Sequence, residues 1–333
     1  MELHRFQLHF TSPLHISNIK ADYGKSEQMF HSDSLVAAVM QAWAVLGKSE
    51  WITKNHGFVT TSLFPFTSID SRPVYFFPKP YLRFNSQNEI EDTDKAKKEK
   101  KVQYIDQYFF LKAIKQEHIE TNISQYKGSF LTVHAIDGNF ITNKLRIRIR
   151  KPRNDHEDAE PFYMEEIRFK KNSGLWGMAY FDDEVAKERF NIAMNYLQDA
   201  GIGTDRNVGN GQFEFKWDES SKFNINDHAG DYGVNLSLFC PENHDQLESM
   251  LNPNARYEVI KRGGWISEPF NTYRKRSVWM FKEGSILRIP QNTNVLGGVV
   301  NVKPAIIQGD RAVWRSGKAI FLPVNWNGEQ DNE

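Results

Sequence analysis

Residues 197–215 read LQDAGIGTDRNVGNGQFEF, with Gly201, Gly203, Gly209 and Gly211 inside eleven positions. Ahead of them, residues 183–199 carry Val185, Phe190, Ile192, Ala193, Tyr196 and Leu197 on the apolar side of an expected helix; behind them, residues 212–217 alternate as a strand. The order helix, glycine loop, strand excludes the common nucleotide sites. A dinucleotide fingerprint needs G-x-G-x-x-G after a strand and opening a helix, so that pyrophosphate meets the helix N-terminus. Here Gly201-Ile202-Gly203 is followed by Thr204, Asp205 and Arg206, and the third glycine is missing. A P-loop would need Gly-Lys-Ser/Thr, which the stretch also lacks. Gly201 is expected to cap the helix. Gly203, Gly209 and Gly211 then flank a polar tip, Thr204-Asp205-Arg206-Asn207, whose amides and side chains suit a phosphate backbone. The alternative is a tight turn that serves only the chain itself.

Working outward, residues 2–10 read as a strand on Leu3, Phe6, Leu8 and Phe10. Residues 32–47 read as a helix with Leu35, Val39, Ala42, Trp43 and Leu46 on one stripe, Ser32 or Asp33 as cap and Gly47 as its end. Strands are expected at 144–150, 162–170 and 174–181. This is the βαββαβ order of a ferredoxin-like domain with a large insertion, about residues 50–140. Within it, Pro65, Pro73, Pro78 and Pro80 predict irregular extended segments, and residues 85–101, with lysines from Lys95 to Lys101, a mobile loop. A polar linker is expected at 218–230. A smaller, degenerate copy follows, with strands near 234–240, 256–262, 276–282 and 318–324 and a helix near 243–251. The fold class is therefore α+β: two ferredoxin-like (RRM-like) domains with antiparallel sheets, over 1–220 and 221–333.

The 333 residues hold 42 basic and 42 acidic side chains, so any surface for nucleic acid must be local. The single cysteine, Cys240, excludes an intramolecular disulfide and a cysteine zinc cluster, and the ten histidines lack H-x-x-H spacing; no metal or cofactor is expected. The first sixteen residues alternate polar and apolar, unlike a signal peptide, and no apolar run is long enough to span a bilayer. A cytoplasmic protein is expected.

Local basic patterns do occur. In 144–150, period two sends Leu145, Ile147 and Ile149 to one face and Arg146, Arg148 and Arg150 to the other, with Lys151 and Arg153 just beyond. No carboxylate stands among those arginines, which points to an anionic partner; a solvated sheet face is the alternative. Tyr273-Arg274-Lys275-Arg276 couples an aromatic ring to a basic cluster, suited to stacking and phosphate contact or to a charged hairpin turn. Trp265, after Gly263-Gly264, suits an interface anchor. His31 is a candidate RNA contact and, like His15 if brought close to it in space, a candidate general acid or base for a metal-independent endoribonuclease; the helix N-terminus that it just precedes would lower its pKa. A histidine before Ser32-Asp33 suits a cap better than a nuclease pair, and Asp33 is expected to cap the helix or stabilise its first turn.

The pattern GxGxxRxxGxGxF resembles the glycine-rich loop of the RAMP superfamily of CRISPR proteins. Further stretches narrow the resemblance: SPLHI (12–16), FHSDSL (30–35), LFPF (63–66), FFPKP (76–80), RKPRND (150–155), SGLWGMAYF (173–181), RGGW (262–265), EGSILR (283–288) and VWRSGKAIFLPV (313–324). In this order they resemble the fourth Csm subunit family of type III-A CRISPR effector complexes along nearly the whole chain. The family often carries an Asp-Arg-Thr-like stretch after the KPR element, where this chain has Asn154 to Asp158, which puts an RNA contact beyond Arg153 in question. The resemblance implies a non-catalytic subunit that grips the 5′ tag of the crRNA and joins the large polymerase-cyclase subunit to the first backbone RAMP subunit. It implies no cofactor and no membrane. The expected RNA contacts are Gly203 to Asn207, Gly209, Gly211, Arg146, Arg148, Arg150, Lys151, Arg153, Arg274 to Arg276 and His31.

Overall fold

The computed structural model describes residues 1–17, 23–82, 93–150, 158–224, 230–267, 270–326 and 328. From the N-terminus come β1 (Glu2–Phe10), α1 (Ser32–Val45), β2 (Phe58–Thr60), β3 (Phe64–Ile69) and β4 (Arg72–Pro78). Next are α2 (Thr93–Glu99), β5 (Tyr104–Asp106), α3 (Gln107–Lys115), β6 (Tyr126–Lys127) and β7 (Phe130–Leu131). Then follow β8 (Ile141–Arg150), β9 (Glu160–Phe169), β10 (Ser173–Phe181), α4 (Glu184–Ala200) and β11 (Phe213–Asn224). The last third holds β12 (Tyr232–Asn235), α5 (His244–Met250), β13 (Val259–Arg262), β14 (Val278–Phe281) and β15 (Ile286–Arg288). It closes with β16 (Val295–Leu296), β17 (Val299–Asn301), β18 (Trp314–Ser316) and β19 (Ala319–Val324).

Among the described residues the main sheet runs β11-β1-β10-β3-β4-β5-β7-β6, with β2 also on β10, and only β5–β7 is parallel. The second sheet runs β15-β12-β19-β16, and β8–β9, β13–β14 and β17–β18 pair separately. The chain is thus α+β with mostly antiparallel sheets. Helices α1 and α4 share one face of the main sheet: the Trp43 indole donates to the Arg189 carbonyl, and Phe6 of β1 meets Phe190. On α4 the buried side is Ala186, Phe190, Ala193, Met194 and Leu197, capped by the Asp183 carboxylate accepting from the Ala186 amide. Val185 and Ile192, expected on that side, are exposed, because the 3.6-residue period through Phe190 selects 186, 193, 194 and 197 instead.

Several expectations are corrected. Pro65, Pro73 and Pro78 lie inside β3 and β4, within the main sheet rather than in irregular segments. Pro65 precedes the β3–β4 ladder, which starts at Phe66, and Pro73 precedes the β4–β5 ladder, which starts at Phe76. Pro78 is the last residue of its strand. Each therefore has a side on which no ladder bond is required. The lysine stretch forms α2 over Thr93–Glu99 rather than a loop, with Asp94 in its first turn and Lys97 and Lys98 in its last, as a helix dipole favours. Residues 218–224 of the expected linker continue β11, paired with β1 as far as Glu2–Asn224; residues 225–229 lie outside those described. The capping residue of α1 is His31, not Ser32 or Asp33, and its side chain makes no cap bond.

One hydrophobic cluster runs through both halves of the sequence, holding Phe6 and Trp176 together with Val234, Leu236, Ile320 and Leu322. Backbone reinforces it: the Ser62 amide donates to the Leu236 carbonyl, and the Ser237 hydroxyl to the Thr60 carbonyl. A second, smaller cluster around Phe239, Leu287 and Phe321 belongs to the C-terminal half alone. Among the described residues no helix is long and apolar enough to cross a membrane.

Candidate nucleic-acid interface

The glycine loop packs first against its own chain. Gly201 is the C-cap of α4, its amide donating to Leu197. The amide of Gly211 donates to the Pro13 carbonyl at 2.7 Å, and that of Thr204 to the His15 carbonyl at 2.9 Å. A Cβ on Gly203 would lie 2.6 Å from the His15 carbonyl oxygen, and one on Gly211 only 1.9 Å from that of Ile202. Both have positive φ, so close approach and backbone conformation together demand glycine. Gly203 therefore approaches the SPLHI segment, and Gly211 approaches Ile202 of its own loop while its amide reaches Pro13. Gly209 differs: its φ is +83° and nothing stands within 4 Å of an added Cβ. The tip projects Asn207, Val208 and Gly209 to solvent, with Thr204, Asp205 and Arg206 half-buried. Arg206 donates to the Gln41 side chain of α1 at 3.1 Å.

The arginine strand and the loop tip come together, because the Arg148 guanidinium meets the Asp205 carboxylate. The premise that no carboxylate serves these arginines is corrected by β9. Buried Glu166 takes Arg146 at 2.8 Å and Arg148 and Arg168 at 3.7 Å each. It lies opposite Lys144 in the hairpin register, and so could not be seen along β8 alone. Three arginines share Glu166 and Asp205, so a positive excess remains at this edge. Leu145, Ile147 and Ile149 form the other face and are exposed. The side chain of Arg150, and residues Lys151 and Arg153, lie outside those described, as does most of the Asn154–Asp158 stretch.

The third basic cluster sits elsewhere in the fold, on the segment leading into β14. Arg274 lies over the exposed Trp265 ring, 4.7 Å from its centre. Arg276 donates to the Asn301 carbonyl. Lys275 is half-buried, and burial followed by the charge of Arg315 pushes its pKa down to about 8.

His31 and Asp33 belong to a feature the sequence did not reveal. Asp33, only 1% exposed, is held bidentately by Arg262 at 2.9 and 3.0 Å and also by Arg315. Burial works against its charge, yet Arg262 and then Arg315 hold the carboxyl well below the usual range. Two residues earlier, His31 lies between Glu283 at 2.8 Å and Glu27 at 3.0 Å, and Glu283 also accepts from the Ser62 hydroxyl. The cluster balances three cations, His31, Arg262 and Arg315, against three carboxylates, Glu27, Asp33 and Glu283. FHSDSL, RGGW, EGSILR and VWRSG thus converge on the start of α1 and lock the C-terminal half onto it. Asp33 is an ion-pair centre rather than a cap. His31 is likewise enclosed by carboxylates rather than presented to solvent.

The expected lowering of the His31 pKa is reversed. Burial opposes the charge, but Glu283, assisted by Glu27, outweighs burial and the repulsion of Arg262, raising it to about 9. A raised pKa stabilises the fold fully below the unfolded value near 6.5, and that contribution is lost as pH rises through about 9. Urea unfolding should therefore show stability falling by on the order of 3 kcal/mol between neutral and alkaline pH. In Glu283→Gln that slope should flatten; an unchanged slope would show that His31 is not the titrating group.

A family model described as the CRISPR Csm4 C-terminal domain matches residues 228–324, the part that supplies Arg262, Glu283 and Arg315. A Csm4 protein of Thermococcus onnurineus is 30% identical over 132 residues, 40% of each chain. One from Mycobacterium tuberculosis is 25% identical over 51% of this chain and 54% of its own, so the chain spans about half or less of these relatives' length in the matches. One from Methanocaldococcus jannaschii is 22% identical over 90% of this chain and 92% of its own. In backbone, the chain is similar to a crystal structure of a Csm3-Csm4 subcomplex (TM-score 0.63, 20% identity, 98% of this chain, 100% of that one). It is also similar to one of a Csm1-Csm4 cassette (TM-score 0.60, 18% identity, 99% and 100%). These findings define a CRISPR-associated α+β protein of RAMP-like fold. The match places residues 228–324 in the Csm4 C-terminal domain family, and the chain as a whole is similar to Csm4 proteins.

Proposed function

We propose that this chain is the RNA-binding, non-catalytic subunit of a type III-A effector complex. It holds the 5′ tag of the crRNA and bridges the large polymerase-cyclase subunit to the first backbone subunit. The observation that carries the reading is the whole-chain likeness to Csm4, which the solved structures place with Csm3 in one case and Csm1 in another. The order β11-β1-β10-β3, with α1 and α4 on one face, supports a ferredoxin-like first unit. The order β15-β12-β19-β16 is different, so the second unit is at most a degenerate copy.

On this reading the RNA backbone runs along the edge where the glycine-loop tip meets β8. Arg206, Asn207 and Arg148 neutralise or hydrogen-bond phosphates there, and Gly209 leaves room for close approach. Arg206→Ala should weaken RNA binding and lower the log–log salt slope by about 0.7, the share of one phosphate contact on a single strand. An unchanged affinity and slope would make the loop a structural turn alone. The endoribonuclease alternative needs a histidine free to exchange protons near neutrality. His31 is instead held charged by two carboxylates, and buried His15 has Nδ1 2.6 Å from the Glu165 carbonyl. Repeat RNA incubated with the chain in EDTA should stay intact; specific cleavage abolished by His31→Ala would overturn the non-catalytic assignment.

A further inference from the structure

Beside the buried junction, residues 262–267 and 270–276 run next to each other, bridged at Trp265 and Arg274. The Ile266 amide donates to the Tyr273 carbonyl at 3.0 Å, and the Lys275 amide to the Gly264 carbonyl at 2.8 Å. The carbonyl one residue earlier, that of Gly263, accepts from the Arg315 guanidinium. Arg315 and Lys275 are thus anchored on adjacent residues of the same segment. Lys275 is half-buried, so its side chain still reaches solvent, and among the described residues it makes no side-chain ion pair or hydrogen bond. Asp33 attracts it, but that carboxylate is already shared by Arg262 and Arg315. The junction is balanced without it, with His31, Arg262 and Arg315 against Glu27, Asp33 and Glu283. A proton on Lys275 is therefore an uncompensated charge, partly stripped of water and next to a second cation. Those two causes, burial first and Arg315 second, bring its pKa down to about 8. A lysine placed in this way is a nucleophile near neutral pH.

We propose that Lys275 is a covalent modification site, acylated on Nζ by a small acyl phosphate. The neutral amine attacks the carbonyl carbon of the donor. A C–N bond forms, the C–O bond to phosphate breaks, the electron pair leaves with the phosphate, and Nζ gives up one proton to water. Nothing is oxidised or reduced. The donor is an anion, and Arg315 with the flanking Arg274 and Arg276 supplies the positive field that draws it in. The product amide is neutral, so the mark removes the uncompensated charge beside the junction and reduces the cluster at 274–276 from three cations to two. Acylation thus changes surface charge while leaving the ion pairs that hold the two halves together.

The test is exposure of the full-length chain to limiting acetyl phosphate across a pH series, with acylated lysines quantified by peptide mass spectrometry. Near neutral pH, Lys275 should react roughly tenfold faster than the exposed Lys144 and Lys171, because its larger share of free amine outweighs its lower basicity. Its rate should level off above about pH 8, where those of Lys144 and Lys171 still climb. In urea the preference should vanish, since burial and Arg315 then no longer act on the amine. Equal rates in the folded chain, or a preference that survives in urea, would overturn the proposal. Lys275→Gln, which copies the neutral product, should keep or raise the urea midpoint, and Lys275→Arg, which fixes the charge, should lower it. The reverse order would show that the fold needs this cation, and would equally overturn a mark that the fold tolerates.

Discussion

Asp33→Asn is expected to destabilise the fold by about 3–5 kcal/mol, measured as a shift of the urea midpoint at unchanged slope. The side chain keeps its shape, so the loss is electrostatic. Arg262 and Arg315, each 8% exposed, would remain buried with their shared carboxylate gone. An unpaired buried charge is far more costly than a missing pair is beneficial. That asymmetry supplies the control. Replacing all three together with apolar residues of similar size, Asp33→Leu with Arg262→Met and Arg315→Met, should recover most of the loss. Should Asp33→Asn cost less than about 1 kcal/mol, the value of an exposed pair, the cluster would not lock the two halves together.

The glycine loop gives the second large effect, as a contrast between neighbours. Gly211→Ala should cost more than about 3 kcal/mol, because strain at φ +79° adds to a Cβ placed 1.9 Å from the Ile202 carbonyl oxygen. Relief would require breaking the bonds from the Ile202 amide to Gly211 and from the Gly211 amide to Pro13. Gly209→Ala meets no atom and carries only the positive-φ penalty, about 1 kcal/mol. Equal losses at the two positions would mean that backbone conformation alone explains the glycines. On the RNA reading the ranking inverts for function: Gly209 replaced by a bulky residue should fold well yet retain less RNA.

What could be read along the chain was local. The helix before the glycines, its cap at Gly201 and the start of the strand after it follow from period and capping chemistry, and the structure has these within a residue or two, while the strand itself runs on to Asn224. What could not be read was pairing across distance. Asp33 finds Arg262 229 positions away and Arg315 282 away, and nothing in S-D-S distinguishes a capping aspartate from a buried one. One usable signal was present: Arg262 precedes two glycines and Arg315 lies between Trp314 and Ser316, polar positions set among apolar or tightly turning ones. Buried charges are rare unless paired, so each implied a partner. Glu166 escaped notice because it belongs to the next strand, and cross-strand neighbours depend on a register the hairpin sets. The prolines misled because a strand tolerates them wherever one ladder ends before another.

The most direct measurement sequences the 5′ ends of RNA recovered from an effector complex assembled with this chain. A single constant 5′ sequence, matching the repeat and depleted when Arg206 and the Gly209 tip are altered, is the expected result. RNA with mixed 5′ ends, recovered in the same amount when this subunit is left out, would contradict the account.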